Sequence, residues 1–175
     1  MMEGLVEAQG SNALRAVLRL GLANPRQVAG MTGLELLKAM ARGDVPAPPM
    51  SGHIPMRPEV LEEGRLIFRA WAGPEFANPM GLIHGGWYST VLDTALGLAV
   101  TSTCAVGESA VSTDTAVRFT GALRANREHE LLVSAEVEHR GRRTATSRGR
   151  VEALDGRVVA TATSASSIRL PKHGS

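Results

Sequence analysis

The feature that most constrains the fold is an apolar run at residues 78–100, NPMGLIHGGWYSTVLDTALGLAV. Between His84 and Glu108 the only charged side chain is Asp93. Apolar residues cover nearly the full circumference of the helix that this run predicts: Trp87, Val91, Leu92, Ala95, Leu96, Leu98, Ala99 and Val100. A helix that is hydrophobic all round is buried all round. We therefore expect a central helix, ending at about Val106, that a curled sheet or a second subunit covers.

Asp93 is the unusual residue of this helix. Burying an unpaired carboxylate costs several kcal/mol, so Asp93 must have hydrogen-bond donors, hold a proton or face a cleft. A purely structural Asp, satisfied by hydroxyls and backbone, is the alternative. A membrane span is disfavoured, because a charge at its centre costs at least about 2.5 kcal/mol. We expect no membrane partner.

The helix begins with a glycine pair, Gly85 and Gly86, directly after His84. The first backbone N–H groups of a helix have no acceptor within it, and the helix dipole favours negative charge there. Glycine also lets a ligand approach this backbone closely. We interpret the pair as a candidate oxyanion hole, which holds donors where charge develops on an attacked carbonyl. An ordinary glycine loop is the alternative.

The two unusual parts of the helix are far apart. Asp93 follows His84 by nine residues. At about 1.5 Å per residue the separation exceeds ~12 Å, so the two side chains cannot meet within one helix. A shared site would need residues from another element or another subunit.

The residue pattern of the chain changes near residue 50. Two helical stretches precede it: one at residues 11–23, and a second with Thr32 as its N-cap and Gly43 as its stop. Five prolines then follow within fifteen residues and forbid a continuing helix. We expect an N-terminal helical extension with its connector, residues 1–50, and a main domain, residues 51–175.

The main domain reads as strands around the long helix. Leu66, Phe68 and Ala70 alternate with Arg65, Ile67 and Arg69, which indicates a strand before the helix. Three or four further strands follow the helix, in the segments 111–120, 129–140, 142–154 and 157–170. An Asp-Gly pair marks a tight turn before the last of these. The order predicts an α+β fold, with one helix on an antiparallel meander.

Composition excludes several classes of function. With 19 basic and 17 acidic side chains the net charge is +2, too small to suggest nucleic acid as a partner. Cys104 is the only cysteine, which rules out an internal disulfide and favours a buried apolar role. The five histidines are scattered, so we expect no metal site and no cofactor. No signal peptide is evident at the N-terminus, so we expect a cytoplasmic protein.

The stretch NPMGLIHGGWYSTVLDTALG resembles the signature of PaaI-like hot-dog-fold acyl-CoA thioesterases, the phenylacetate-pathway type. The likeness extends over residues 54–170 and includes VSTDTAVRF, HRGRRTA and DGRVVATATS. It implies a hot-dog fold, in which an antiparallel sheet wraps one long central helix. It also implies hydrolysis of acyl-CoA to free acid and CoA, with no metal or organic cofactor.

The resemblance assigns roles to five residues. Asp93 would be the nucleophile or the general base, and the Gly85 N–H would polarise the thioester carbonyl. Asn78 and His84 would orient the substrate or the water. Ser112 would lie near the attacking water.

The resemblance also implies an assembly. Asp93 and Ser112 would come from one subunit, and Asn78, His84 and Gly85 from the other, so the site would lie in a homodimer. Two such dimers would form a homotetramer. The N-terminal extension departs from the minimal family pattern, and its role is open.

Further residues are candidates for substrate contacts. Gly86 lies beside the oxyanion donor, and Arg142 and Arg143 are suited to the CoA phosphates, since arginine binds phosphate well. A solvated hairpin is the alternative for the two arginines. Trp87, with its neighbour Tyr88, would line an acyl pocket for aromatic or medium-chain groups. Interface packing is the alternative for these two aromatic residues.

Two rival functions share the fold. One is a non-catalytic acyl-CoA sensor that regulates transcription through the N-terminal helices. Residues 24–43 have few basic side chains and no convincing recognition helix, which disfavours it. The other is a hot-dog hydratase, whose Asp/His arrangement is absent from the sequence.

Overall fold

One long helix lies against a six-stranded antiparallel sheet in the computed structural model, which describes residues 19–169. The helices are α1 (Pro25–Val28), α2 (Gly33–Arg42) and α3 (Gly85–Ser102), with two short 3-10 turns, Pro49–Gly52 and Pro74–Phe76. The strands are β1 (Met56–Glu62), β2 (Arg65–Ala72), β3 (Ser109–Phe119), β4 (His129–Arg140), β5 (Thr144–Ala153) and β6 (Val158–Arg169). This arrangement confirms the predicted α+β class.

The sheet order is β1-β2-β4-β5-β6-β3, which corrects the predicted meander. The segments from β4 to β6 do form a meander, but β3 pairs with β6 at the far edge of the sheet instead of with β4. The helix α3 carries the chain across the width of the sheet, so β3 emerges at the opposite edge from β2. Alternation along a strand determines its faces, whereas its neighbours depend on the path of the whole chain.

A strand that the pattern did not predict, β1, pairs with β2. Its first three residues, 56–58, belong to the proline-rich stretch, and no strand was predicted for the rest of the segment. The register shifts between Pro58 and Val60, which is a bulge. Proline is tolerated at such a position because β1 is an edge strand, where one row of N–H groups needs no partner.

The core lies between α3 and the inner face of the sheet. Fully or nearly fully buried side chains from the strands include Leu66, Phe68, Ala70, Leu131, Val133 and Ala135, as the alternation predicts. Seven of the eight apolar helix positions are buried, and Leu98 is half-buried. Within residues 19–169 the sheet does not cover the helix all round, which leaves a second subunit as the other expected cover for the remaining face. Asp93 is exposed and Gly97 is half-buried on the uncovered face.

The long helix ends at Ser102, four residues earlier than predicted. Hydroxyl groups end it: the side chains of Thr101, Ser102 and Thr103 each donate to a backbone carbonyl three or four residues back. Such local bonds compete with helix continuation. The Glu108 carboxylate then accepts the Ala105 N–H at 3.0 Å and closes the following turn.

The helix α2 begins and ends where the sequence predicts. Thr32 and Glu35 form a reciprocal capping box, and Gly43 takes a left-handed conformation (φ 77°) at the C-cap. Its Leu37 belongs to the same core cluster as α3 and the sheet. Of the helix predicted at residues 11–23, residues 11–18 lie outside the described residues, as does the start of the N-terminal extension. Residues 19–23 are not helical, and Leu20 forms a β-bridge with Ala47 instead.

Candidate active site

The start of α3 is shaped by His84, which occupies the N-cap in extended conformation (φ −65°, ψ 139°). Its Nδ1 accepts the Gly86 N–H at 2.8 Å, and its own N–H donates to the Phe76 carbonyl at 2.8 Å. The histidine therefore caps the helix with one ring nitrogen. Nε2 remains for a ligand, since the ring is exposed.

The Gly85 N–H occupies the first helical position. Among the hydrogen bonds of residues 19–169 none has this N–H as its donor. The side-chain cap instead satisfies Gly86, so the open donor at the helix start is the one on Gly85. An unpaired N–H at the positive end of the helix dipole can stabilise an oxyanion.

A second contact explains the glycine at 85. A Cβ atom there would lie 2.9 Å from Cζ of Phe119, a residue of β3. The ring of Phe119 thus packs directly on the backbone that carries the open donor.

Asn78 organises the loop that leads into α3. Its Oδ1 accepts the N–H groups of Met80 (2.9 Å) and Leu82 (3.1 Å), and its own N–H donates to the Leu82 carbonyl at 2.8 Å. This structural role was not predicted. The side-chain NH₂ has no acceptor within the described part of the chain, so it can still donate to a ligand.

Asp93 lies on the uncovered face of α3, two turns beyond the glycine pair. Its Oδ1 accepts the hydroxyl of Thr115, on β3, at 2.9 Å. The carboxylate therefore has a donor, as one of the predicted possibilities required, and it is exposed instead of buried. Thr115 was not predicted, although the polar run STDT in β3 could have indicated it.

Ser112 lies beside the turn of α3 that follows Asp93. A Cβ on Gly97, one turn after Asp93, would lie 3.3 Å from Oγ of Ser112. The hydroxyl bonded to Asp93 belongs to Thr115, three residues later on the same strand.

Trp87 and Tyr88 are buried, with exposed fractions of 6% and 3%. Trp87 lines a cavity of about 360 Å³ together with His84, Gly86 and Thr90 of the helix start. The opposite wall comes from Met50, His53 and Ile54 of the connector and from residues 75–77. This cavity opens beside the helix start.

The ring of Tyr88 points away from water, and its hydroxyl has no partner among the described residues. Burial raises the pKa of Tyr88 to about 12 because the phenolate would lose its hydration, while the nearby Arg157 charge acts the other way. Tyr88 is therefore neutral across the physiological pH range.

Arg142 and Arg143 are exposed in the β4–β5 turn. The neighbouring Ala145 packs in a small cluster with Val100 and Cys104, at the C-terminal end of α3. Because α3 has 18 residues, its two ends are about 25 Å apart. Within one chain the two arginines are therefore remote from Gly85.

The structure thus brings Asn78, His84 and Gly85 together at the helix start. Asp93 and Ser112, with Thr115, form a second group along the helix. Eight residues separate Gly85 from Asp93, about 12 Å along α3. In the part of the chain that is described there is no cluster of metal-ligating side chains, and no helix is long and apolar enough to cross a membrane.

Comparison with known proteins agrees with this architecture. Residues 80–160 match the model of the thioesterase superfamily. The phenylacetic acid degradation-related protein of Ralstonia eutropha JMP134 is 29% identical, with a TM-score of 0.68 over 74% of this chain and 97% of that one. No curated protein sequence matches the chain significantly.

Two further solved structures show the likeness of fold. The PaaI protein of the E. coli phenylacetic acid degradation operon is 19% identical, with a TM-score of 0.66 over 79% of this chain and 94% of that one. A hypothetical thioesterase protein with coenzyme A from Streptococcus pneumoniae TIGR4 is 23% identical, with a TM-score of 0.60 over 67% and 88%.

Sheet and helix together define the hot-dog fold. The chain is similar to the thioesterase superfamily over residues 80–160, and this match together with the Ralstonia eutropha structure supports the class of the thioester hydrolases.

Proposed function

We propose that this protein is an acyl-CoA thioesterase in which Asp93 and the Gly85 N–H act on the same thioester carbonyl. The observation that carries the proposal is the pairing of an open helix N–H with an exposed carboxylate on the same helix. The thioesterase-superfamily match over residues 80–160 supports the thioester as substrate. Coenzyme A in the Streptococcus pneumoniae relative agrees with a CoA leaving group.

The chemistry follows from the two groups. The Gly85 N–H donates to the carbonyl oxygen and stabilises the negative charge that develops on it, with help from the helix dipole. The Asp93 carboxylate attacks the carbonyl carbon directly, or it takes a proton from a water that attacks. Direct attack expels the CoA thiolate and leaves a mixed anhydride on Asp93, which water then hydrolyses to the free acid while its proton passes to the thiolate. In the other route the water oxygen adds to the carbonyl carbon, the C–S bond breaks, and the proton taken up by Asp93 passes to the CoA thiolate. The Thr115 hydroxyl holds one carboxylate oxygen and so aims the other.

The two groups act together only across a two-fold axis. Within one chain they are about 12 Å apart, too far to reach one carbonyl. A homodimer that sets the helix start of one chain against Asp93 of the other removes this difficulty. Two features support it: the uncovered face of α3, and the edge strand β3, whose Val111 and Phe119 are 43% and 56% exposed. Pairing of two dimers into a tetramer is part of the same proposal.

The remaining predicted residues receive roles in this site. His84 and the Asn78 NH₂ face the helix start and orient the substrate or water. Gly86 and Trp87 border the cavity beside it, where the acyl group binds. Arg142 and Arg143, remote from Gly85 of their own chain, contact CoA phosphates.

Hydrolysis of a panel of acyl-CoAs, followed with a thiol-detecting dye, tests the activity. A non-catalytic acyl-CoA sensor would bind these thioesters without releasing thiol. In that case the catalytic proposal is wrong.

Mixing of inactive variants tests the shared site. Asp93→Ala removes the carboxylate, and Gly85→Pro removes the N–H donor. Co-expressed variants that pair at random form half mixed dimers, and each mixed dimer regains one intact site of two. We expect about a quarter of the wild-type activity to return. A mixture that stays inactive, although mixed dimers are present, excludes the intersubunit site.

A further inference from the structure

The strand β3 contacts α3 at both groups of site residues. Thr115 donates to Asp93, and four residues later Phe119 packs on Gly85. Four residues of strand span about 13 Å, and the eight residues of helix from 85 to 93 span about 12 Å. The two spacings match, so one strand presents one side chain to each half of the site.

Phe119 is exposed in spite of being apolar. More than half of its side chain, 56%, is open to solvent. Its ring edge nevertheless lies so close to Gly85 that a Cβ would be 2.9 Å from Cζ and 3.1 Å from Cε2. The ring therefore has one edge against the donor-bearing backbone and a free surface where a ligand at that donor would lie.

Phe119 is the last member of a row of four aromatic rings that contact one another. Ring centroids are 6.2 Å apart for Phe76 and Trp87, 5.3 Å for Trp87 and Tyr88, and 6.1 Å for Tyr88 and Phe119. The whole chain has only three Phe, two Trp and one Tyr, so four of its six aromatic residues lie in this row. Because Tyr88 is only 3% exposed, the ring of Phe119 rests on a buried wall.

We propose that Phe119 positions the thioester: its ring contacts the acyl thioester bound at the Gly85 N–H and keeps the carbonyl oxygen on that donor. A carbonyl oxygen bound there lies about 2.9 Å from the nitrogen. The Gly85 nitrogen is bonded to the Gly85 Cα, and a Cβ on that Cα would touch the ring of Phe119. The ring and a thioester bound at this nitrogen are therefore neighbours. This inference rests on the proposed function and adds a residue to the same site.

Truncation of the ring is the first test. Phe119→Ala should lower kcat by about tenfold, since a misplaced carbonyl loses its alignment with the donor. Phe119→Leu, which keeps most of the bulk, should recover most of the loss. Leu154→Ala is the matched control, because Leu154 is also exposed (60%) but lies in the β5–β6 turn. It should leave kcat unchanged.

The contact with Gly85 gives a sharper test. Gly85→Ala keeps the N–H but adds a Cβ that displaces the ring. We expect Gly85→Ala to lose about as much activity as Phe119→Ala, and the double variant to lose no more than Phe119→Ala alone. Losses that multiply would mean that the ring acts independently of Gly85 and would overturn the proposal.

Two other outcomes also overturn it. If Phe119→Ala equals wild type while Asp93→Asn is inactive, Phe119 has no part in the reaction, and the proposed function stands. If light scattering shows that Phe119→Ala dissociates, and high protein concentration restores its kcat, the ring is only an interface contact. A wild-type protein that hydrolyses no acyl-CoA contradicts the proposed function itself.

Discussion

The two ends of α3 are built in opposite ways. At its start, a glycine pair leaves the Gly85 N–H open, and the exposed ring of Phe119 borders it. At its end, hydroxyl groups close the last carbonyls, and Arg140 pairs with Glu108 at 2.6 Å while donating to Thr103 at 3.2 Å. The start leaves a donor for a ligand, whereas the end is satisfied within the chain. The difference indicates that substitutions at the start should affect activity and those at the end should affect stability.

The largest effect is expected between the two ends, at Asp93. Asp93→Asn keeps the shape and the Thr115 contact but removes the charge and the basic oxygen. We expect kcat to fall by at least about 10³-fold, in the range for loss of a catalytic base. The melting temperature should change little, because the side chain is exposed. Activity near the wild-type level would assign Asp93 to structure only.

Removal of the open donor should have the next largest effect. Gly85→Pro deletes the N–H at a position where proline is favoured, and the extended backbone of His84 already suits a following proline. Gly85→Ala is the matched control, since it adds the same Cβ and keeps the N–H. We expect Gly85→Pro to lie about 10²-fold below Gly85→Ala in kcat. Equal rates in the two variants would exclude the Gly85 N–H as the oxyanion donor.

At the closed end, Glu108→Gln should reduce stability and leave kcat unchanged. The substitution weakens a partly buried ion pair, in which the side chain of Arg140 is 24% exposed and that of Glu108 is 17% exposed. We expect a loss of about 2 kcal/mol in the free energy of unfolding. Glu62→Gln is the control: its pair with Arg65 is about half exposed, so denaturant titration should detect almost no change. A fall in kcat for Glu108→Gln would contradict the division between the two ends.

The smallest effect is expected at Tyr88, a buried member of the aromatic row. Its pKa is raised to about 12 in the folded protein, above its ordinary value of 10. Above pH 10 the unfolded chain therefore releases this proton first, and the free energy of unfolding decreases until about pH 12. Tyr88→Phe should remove this part of the alkaline decrease and, by deleting a buried hydroxyl without a partner, raise stability by about 1 kcal/mol. An unchanged alkaline slope in urea titrations at pH 9 to 12 would show that Tyr88 is solvated.

Much of the fold is visible in short segments. The Thr32 capping box, the stop at Gly43 and the turn at Gly156 (φ 84°) each depend on residues within a few positions of one another. Leu66 and its alternating neighbours identify the buried face of β2 without reference to the rest of the chain. Asp93 is conspicuous because no other charge lies within its helix.

The site was only partly predictable, because several of its contacts join residues that are far apart in the chain. Asp93 and the glycine pair were predicted, but the hydroxyl of Thr115 lies 22 residues from Asp93, and Phe119 lies 34 residues from Gly85. Nothing local distinguishes Thr115 from Ser112 on β3. Asn78 was predicted to contact the substrate. That its side-chain oxygen accepts the N–H groups of Met80 and Leu82 is visible only in the folded loop.

By itself, the sequence determined the long central helix and every strand except β1, which faces are apolar and which helix carries a carboxylate, because hydrogen bonds and side-chain periodicity within a few residues decide these features. Only the tertiary structure decided that β3 lies at the sheet edge beside β6, that α3 ends at Ser102, and that β3 meets α3 at both Asp93 and Gly85. These contacts join residues far apart in the chain. Their formation depends on how the helix crosses the sheet, which no local pattern specifies.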